Sequence, residues 1–386
     1  MSLRRRAALA ATILGLLLWS GCGDVFRPVA SPIPQNPGDP QPSKEAVVIN
    51  NNNGGTGTAQ RINSAGDTVT AVNPVGKGPV HGAWLAGGVQ IYTANQADDT
   101  VSVFTVVTTA GDDTTTVVLP PGAAPGFVLG TTGVTTYVAN SGLSSISAID
   151  NGLNVVTRVV PVGRNPSSIA ANADASKIYV ANRTDGTVSV VQTRDFSIKT
   201  TLPVGSSPAW AVSSTDGNVV YVVNQGSGTV SVIDTTTDIV VGTVPVGTSP
   251  TFALFDKSLK RLYVTNRGSN SVTILKADVT PPVVLANVPV GSAPVSVTAL
   301  ADGSRAYVAN SGSNTVSVIN ALNNTILRTI TVGNAPVSIV STPDASKVIV
   351  ANRDSNTISD IRTSDDTVVA TIPSSSPRPV WVTLQP

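Results

Sequence analysis

Short apolar runs alternate with polar punctuation at a fixed interval along most of this chain. The clearest instance is Ile178-Tyr179-Val180-Ala181-Asn182, followed after a short loop by Thr187-Val188-Ser189-Val190-Val191. The pair recurs with its asparagine at Asn50, Asn95, Asn140, Asn182, Asn224, Asn266, Asn310 and Asn352, so successive copies lie 42 to 45 residues apart. Alternation with a period of two predicts half-buried strands. A constant repeat of this length built from strands predicts the blades of a β-propeller.

Each unit from Ala46 onward reads as four strands. Strand B is the Tyr-Val-Ala-Asn segment, and strand C is the type seen at Thr229 to Asp234 and Thr315 to Asn320. Strand D runs into Pro-Val-Gly, as at Pro161-Val162-Gly163 and Pro203-Val204-Gly205, and strand A starts at the next proline, as at Pro166, Pro208, Pro250, Pro294 and Pro336. Asp216-Gly217 and Asp302-Gly303 between A and B read as two-residue hairpin turns. The first unit, Ala46 to Gly76, has B, C and D but no A before it; Pro379-Val380-Trp381-Val382-Thr383 is an A strand with nothing after it. Joining these ends predicts an all-β, closed propeller of eight four-stranded blades. The alternative of seven blades would leave two amphipathic fragments without partners, and closure removes exposed sheet edges.

Composition narrows the chemistry. Charged residues are 12% of the 386, and the net charge is +1, about half the usual charged share, which gives no electrostatic footprint for nucleic acid. The chain holds one Cys (Cys22) and one His (His81). Structural zinc and iron–sulfur sites need several nitrogen or sulfur ligands, so no metal site and no cofactor are expected.

The N-terminus reads as a targeting segment. Arg4, Arg5 and Arg6 precede an apolar stretch from Ala7 to Trp19, too short for a comfortable membrane span. The following Leu18-Trp19-Ser20-Gly21-Cys22 resembles the bacterial lipoprotein signal, with Trp19 where that family usually has Leu. The resemblance implies removal of residues 1–21, lipidation of Cys22, and a membrane anchor. Residues 22–45 carry six prolines and read as an extended tether, with residues 46–386 forming the propeller. Gly23 after the modified Cys lacks the inner-membrane retention residue of enteric lipoproteins, so the expected address is the periplasmic side of the outer membrane or the cell surface.

The repeated Tyr-Val-Ala-Asn segments resemble the YVTN-family β-propeller repeat of bacterial and archaeal surface and periplasmic proteins, over essentially all of residues 46–386. That family has no single activity. All six tyrosines, Tyr92, Tyr137, Tyr179, Tyr221, Tyr263 and Tyr307, stand three residues before a repeat asparagine, and the other two units have Val47 and Ile349 there. Equivalent residues in six units argue for packing between blades. The repeat asparagines are expected to be structural, bonding backbone in the B–C loop.

Strand order places the B–C and D–A loops on one face of the disc. Arg183, Arg267 and Arg353 follow repeat asparagines on alternate units, and the D–A connections add Lys77, Arg164 and Arg378. With Asp98, Asp99, Asp185 and Asp354 also on this face, it is either a mildly cationic rim for a carboxylate, phosphate or acidic glycan, or a set of solvated ion pairs. Two places after the A-strand prolines come His81, Phe127, Trp210, Phe252 and Trp381, with serines in the other units. These rings are candidates for the channel mouth, as a stacking platform or as packing. The pairs Asp98-Asp99, Asp112-Asp113 and Asp365-Asp366 match no calcium loop. No catalytic set surrounds His81. The expected function is a monomeric, non-catalytic envelope scaffold for a protein or anionic glycan. The alternatives are a propeller enzyme of lactonase or quinone-dehydrogenase type, and a structural surface-layer component.

Overall fold

A computed structural model describes residues 45–106 and 114–385. Among them the chain forms eight four-stranded antiparallel sheets arranged as a closed β-propeller. Seven blades use consecutive strands. Blade 4 is typical: A is Pro166–Ala171, B is Lys177–Asn182, C is Thr187–Gln192 and D is Ile198–Pro203. Blade 1 takes B, C and D from Glu45–Asn50, Thr56–Asn63 and Thr68–Lys77, and A from Pro379–Leu384 at the other end of the chain. Its B strand starts one residue before the expected Ala46. Trp381 pairs with Ile49, Val382 with Val48 and Thr383 with Val47, so the two chain ends share one sheet. Each A strand packs on the A strand of the next blade, including A of blade 8 on A of blade 1 and A of blade 1 on A of blade 2 (Pro79–Trp84).

The core lies between blades. Tyr179, Val188, Val190, Val220 and Val222 form one buried cluster across blades 4 and 5, and equivalent clusters recur around the ring. Period-two alternation places these side chains on both faces of each sheet, which is why strands B read as near-continuous apolar runs.

The tyrosines reach across the joints. Tyr92 donates to Asn154 Oδ1 (2.7 Å), Tyr179 to Asp238 Oδ1 (2.5 Å) and Tyr307 to Asp366 Oδ1 (2.6 Å). Each acceptor sits in the C–D turn of the next blade with positive φ, a conformation Asn and Asp tolerate. Burial first, and the Asp238 carboxylate second, push the Tyr179 hydroxyl upward; Tyr92 is raised to about 12, chiefly by burial. In the two blades without this tyrosine, the strand-C residue opposite is charged: Arg61 opposite Val47 and Asp360 opposite Ile349. The tyrosine-bearing blades have Val103, Ala148, Val190, Val232, Ile274 and Val318 there.

Two local expectations are corrected. The repeat asparagines, fully buried in all eight blades, bond strand-C hydroxyls rather than loop backbone: Asn182 Nδ2 donates to Thr187 Oγ1 (3.0 Å) and Ser189 Oγ (2.9 Å), and the pattern repeats at Asn95, Asn140, Asn224, Asn266, Asn310 and Asn352. Thr187 stands directly opposite Asn182 on strand C and Ser189 lies two residues on, so both hydroxyls share the face of the amide. The A–B turns at Asp216-Gly217 and Asp302-Gly303 are five-residue loops, not two-residue hairpins. Ser214 and Leu300 close them by accepting from Gly217 and Gly303, and both glycines have positive φ.

Candidate functional site

The face that carries the B–C and D–A loops is fixed by backbone bonds. The amide of Arg183 donates to Asn165 O (3.0 Å), that of Arg267 to Ser249 O (3.1 Å) and that of Arg353 to Ala335 O (2.9 Å). The amide of Asn51 bonds Arg378 O (2.8 Å), Thr184 bonds Arg164 O (3.2 Å) and Ala97 bonds Lys77 O (3.1 Å). All six cationic residues therefore sit on one rim.

Their side chains divide into two groups. Arg164 Nε is 2.6 Å from Asp185 Oδ1, and Arg353 Nε is 2.7 Å from Asp354 Oδ1. Arg353 is the main cause holding the Asp354 carboxyl below its usual range, with Arg378 contributing. Arg183 instead donates to the neutral Gln225 of blade 5. Arg267 on blade 6, Lys77 and Arg378 are exposed, and no hydrogen bond or ion pair joins their side chains to another described residue.

The remaining acids of this face are already engaged. Asp98 accepts from Lys77 N (2.7 Å) and Thr100 Oγ1 (2.8 Å); Asp99 accepts from Gly122 N (2.7 Å) and Ala124 N (2.7 Å). All four oxygens of this pair take protein donors. On the opposite face, in the C–D turn of blade 8, Asp365 pairs with Arg362, and Asp366 takes Arg305 and Tyr307. Asp112 and Asp113 lie outside the described residues, as do the leader, Cys22 and most of the tether.

Of the exposed cations without an acidic partner, Arg183 and Arg267 lie along an arc through Gln225 over blades 4 to 6, while Lys77 and Arg378 stand on the D–A connections on either side of blade 1. At the start of the arc lies an open depression of about 440 Å³, bordered by Asn165, Arg183, Asp185, Ser206 and Ser207. On the inner strands of blades 1, 2, 3, 5 and 6 the five expected rings meet. His81 lies 4.3 Å from Phe127 and 4.4 Å from Trp381, and Trp210 lies 4.6 Å from Phe252 and 5.9 Å from Trp381, centroid to centroid. His81 and Phe127 are buried, whereas Trp210, Phe252 and Trp381 remain half-exposed.

The single histidine does a serine's work. His81 Nδ1 accepts the amide of Val128 on the next inner strand (3.3 Å), as Ser168 Oγ accepts Ala211 N and Ser338 Oγ accepts Val382 N, each at 3.1 Å. Burial lowers its pKa to about 3, so it stands neutral in the fold. Among the described residues no group of three His, Cys, Asp or Glu side chains is placed to hold a metal. Sequence reasoning located the rings and the rim, but not which cations stay unpaired; that depends on side-chain reach across blades.

Residues 58–234, strand C of blade 1 to strand C of blade 5, match a family model described as a lactonase, 7-bladed beta-propeller. The ring here has eight blades. No curated protein sequence matches the chain. Similar solved structures include the dihydro-heme d1 dehydrogenase NirN (TM-score 0.74, 12% identity, 89% of this chain and 76% of that one). The Kuenenia stuttgartiensis hydrazine synthase has a TM-score of 0.61 at 19% identity over 74% of this chain and 96% of that one. A putative 6-phosphogluconolactonase from Bacteroides fragilis has a TM-score of 0.58 at 16% identity over 90% of this chain and 99% of that one. At such identities the likeness concerns the fold.

Proposed function

We propose that this protein is a non-catalytic binding module, lipid-anchored through Cys22 at the cell envelope, whose B–C/D–A face takes an anionic glycan or an acidic protein segment. The observation that carries the proposal is the arc over blades 4 to 6. Arg183 meets only a neutral amide, Arg267 is without a partner among the described residues, and the acids of the same face are spent on backbone amides or on other arginines. Guanidinium groups free in this way favour bidentate pairing with carboxylate, sulfate or phosphate oxygens. Trp210 and Phe252, half-exposed on strands of blades 5 and 6, add flat apolar surface on which a sugar ring can stack. The protein acts as a monomer, and nothing in its charge balance suits nucleic acid.

Thermal unfolding of the chain with acidic oligosaccharides and cell-wall fragments tests the proposal. A ligand at ten times its Kd adds about 1.4 kcal/mol of stability. The family-model match favours a second reading, a lactone hydrolase using the same face. Turnover of sugar lactones, with no stabilisation by any acidic saccharide, would replace the first reading with the second.

A further inference from the structure

The joint between blades 8 and 1, where the two ends of the chain close the ring, is built differently from the others. Asn50 donates to Ser375 Oγ as well as to Thr58 Oγ1 (both 3.1 Å) and accepts from Ser374 Oγ (2.6 Å). Gln60 holds the same connection by donating to Pro373 O (3.0 Å) and accepting from Ser375 N (2.6 Å). At the opposite end of the joint, Lys347 of strand B in blade 8 (Lys347–Asn352) hydrogen-bonds Asp67 in the C–D turn of blade 1. Its Nζ is also 3.3 Å from Asp360 Oδ2.

Asp360 is only 1% exposed and stands where six other blades carry an apolar residue. Lys347 and Asp67 are the charged groups that face it. Its partners within the sheet are Ile349 on strand B and Ala370 on strand D. The wider joint is apolar, with Ala46, Val48 and Ile62 of blade 1 packed against Ile349 and Ile358. Two carboxylates thus face one ammonium, with Asp360 buried and Asp67 and Lys347 partly exposed at the edge of the joint. One cation balances one anion there; a second anion adds repulsion that a low-dielectric interior does not screen.

We propose that Asp67, Lys347 and Asp360 form a proton-operated latch on the ring-closing joint, in which one carboxyl proton shared between the two aspartates holds blade 8 against blade 1 and its loss loosens that joint. Burial first, and the neighbouring Asp67 next, push the Asp360 carboxyl up to about 8. The folded protein binds a proton that the unfolded chain, with an ordinary carboxyl, releases near pH 4. Stability from this site is therefore full below pH 4, falls as the pH rises, and is gone above about 8.

The test compares melting temperatures of the wild-type chain and Asp360→Asn from pH 5 to pH 9. Asparagine keeps the size and a donor toward Asp67 without a titrating group. The variant's Tm should gain on the wild type by roughly a few degrees between pH 5 and 8, with the difference constant above that. A difference that stays flat across the range overturns the latch. If the variant does not fold, the wild-type Asp360 carboxyl can be followed by carbon NMR. A midpoint near 8 supports the latch, and one in the ordinary range near 4 overturns it.

Discussion

A Cβ on Gly163 would lie 2.5 Å from Cγ of Asn182 in the next blade. The glycine of each Pro-Val-Gly connection, Gly76, Gly163, Gly205, Gly247 and Gly291, faces the buried asparagine of the following blade at 2.5 to 2.8 Å. The two repeat signatures, Pro-Val-Gly and Tyr-Val-Ala-Asn, are two sides of one inter-blade contact. Gly163→Ala should destabilise by about 1–3 kcal/mol through overpacking. Asn182→Ala should cost about 1–3 kcal/mol by stripping Thr187 and Ser189 of their donor. Because the added methyl would occupy space the amide vacates, the double substitution should cost less than the sum. Urea unfolding of the four proteins measures that coupling, and strict additivity would refute the contact's role.

Tyr179→Phe removes the hydroxyl from Asp238, whose other partners are Lys177 and Lys199. A hydrogen bond to a charged group of this kind contributes about 1.5–3 kcal/mol. Burial works to raise Asp238, but bonds from Lys177, Lys199 and Tyr179 outweigh it and hold the carboxyl below its usual value. Its contribution is thus present above the ordinary carboxyl range and lost as pH falls through the folded value. Phenylalanine should weaken that depression, so the loss from this group on acidification should be smaller and complete at a higher pH; acid titration followed by circular dichroism reads it.

His81 has the opposite charge logic from Asp360. It is neutral in the fold down to about pH 3 and charges near 6.5 when unfolded, so stability from this group falls as pH drops from 6.5 toward 3. His81→Ser keeps an acceptor for Val128, as serine does at Ser168 and Ser338. It should lower stability at pH 7 by leaving a gap beside Phe127 and Trp381, and flatten the acid slope over that window. Tm against pH for the two proteins checks both.

Much of this fold is legible in the strand alternation. The position of Trp381 beside Ile49 follows from an orphan A strand and an orphan B-C-D unit, because an amphipathic fragment needs a sheet to join. The tyrosines speak for packing because six equivalents cannot each be a site. Other features depend on contacts far apart in sequence. Asp360 and Arg61 look like ordinary strand residues until register sets them opposite Ile349 and Val47. His81 suggests chemistry as the chain's single imidazole, yet register gives it the acceptor role of a serine. The hairpin reading of Asp216-Gly217 failed because the loop closes through Ser214, not across the Asp-Gly pair.

Ligand on the arc should be sensed by Trp210, which touches Phe252 and is half-exposed. Quenching or a spectral shift of tryptophan emission on adding an acidic oligosaccharide, abolished in Trp210→Phe with Trp84 and Trp381 intact, is the expected result. An unchanged signal in that variant would place the ligand elsewhere.

The most direct measurement is calorimetric titration of a stabilising acidic oligosaccharide into the wild-type chain, Arg183→Ala/Arg267→Ala and Arg164→Ala. Loss of two charged hydrogen-bonding groups should weaken binding by about 3 kcal/mol or more, over a hundredfold. Removing Arg164, already paired with Asp185, should change it little, and the wild-type affinity should fall with added salt. Equal affinity in the wild type and the double variant would contradict the arc as the binding surface.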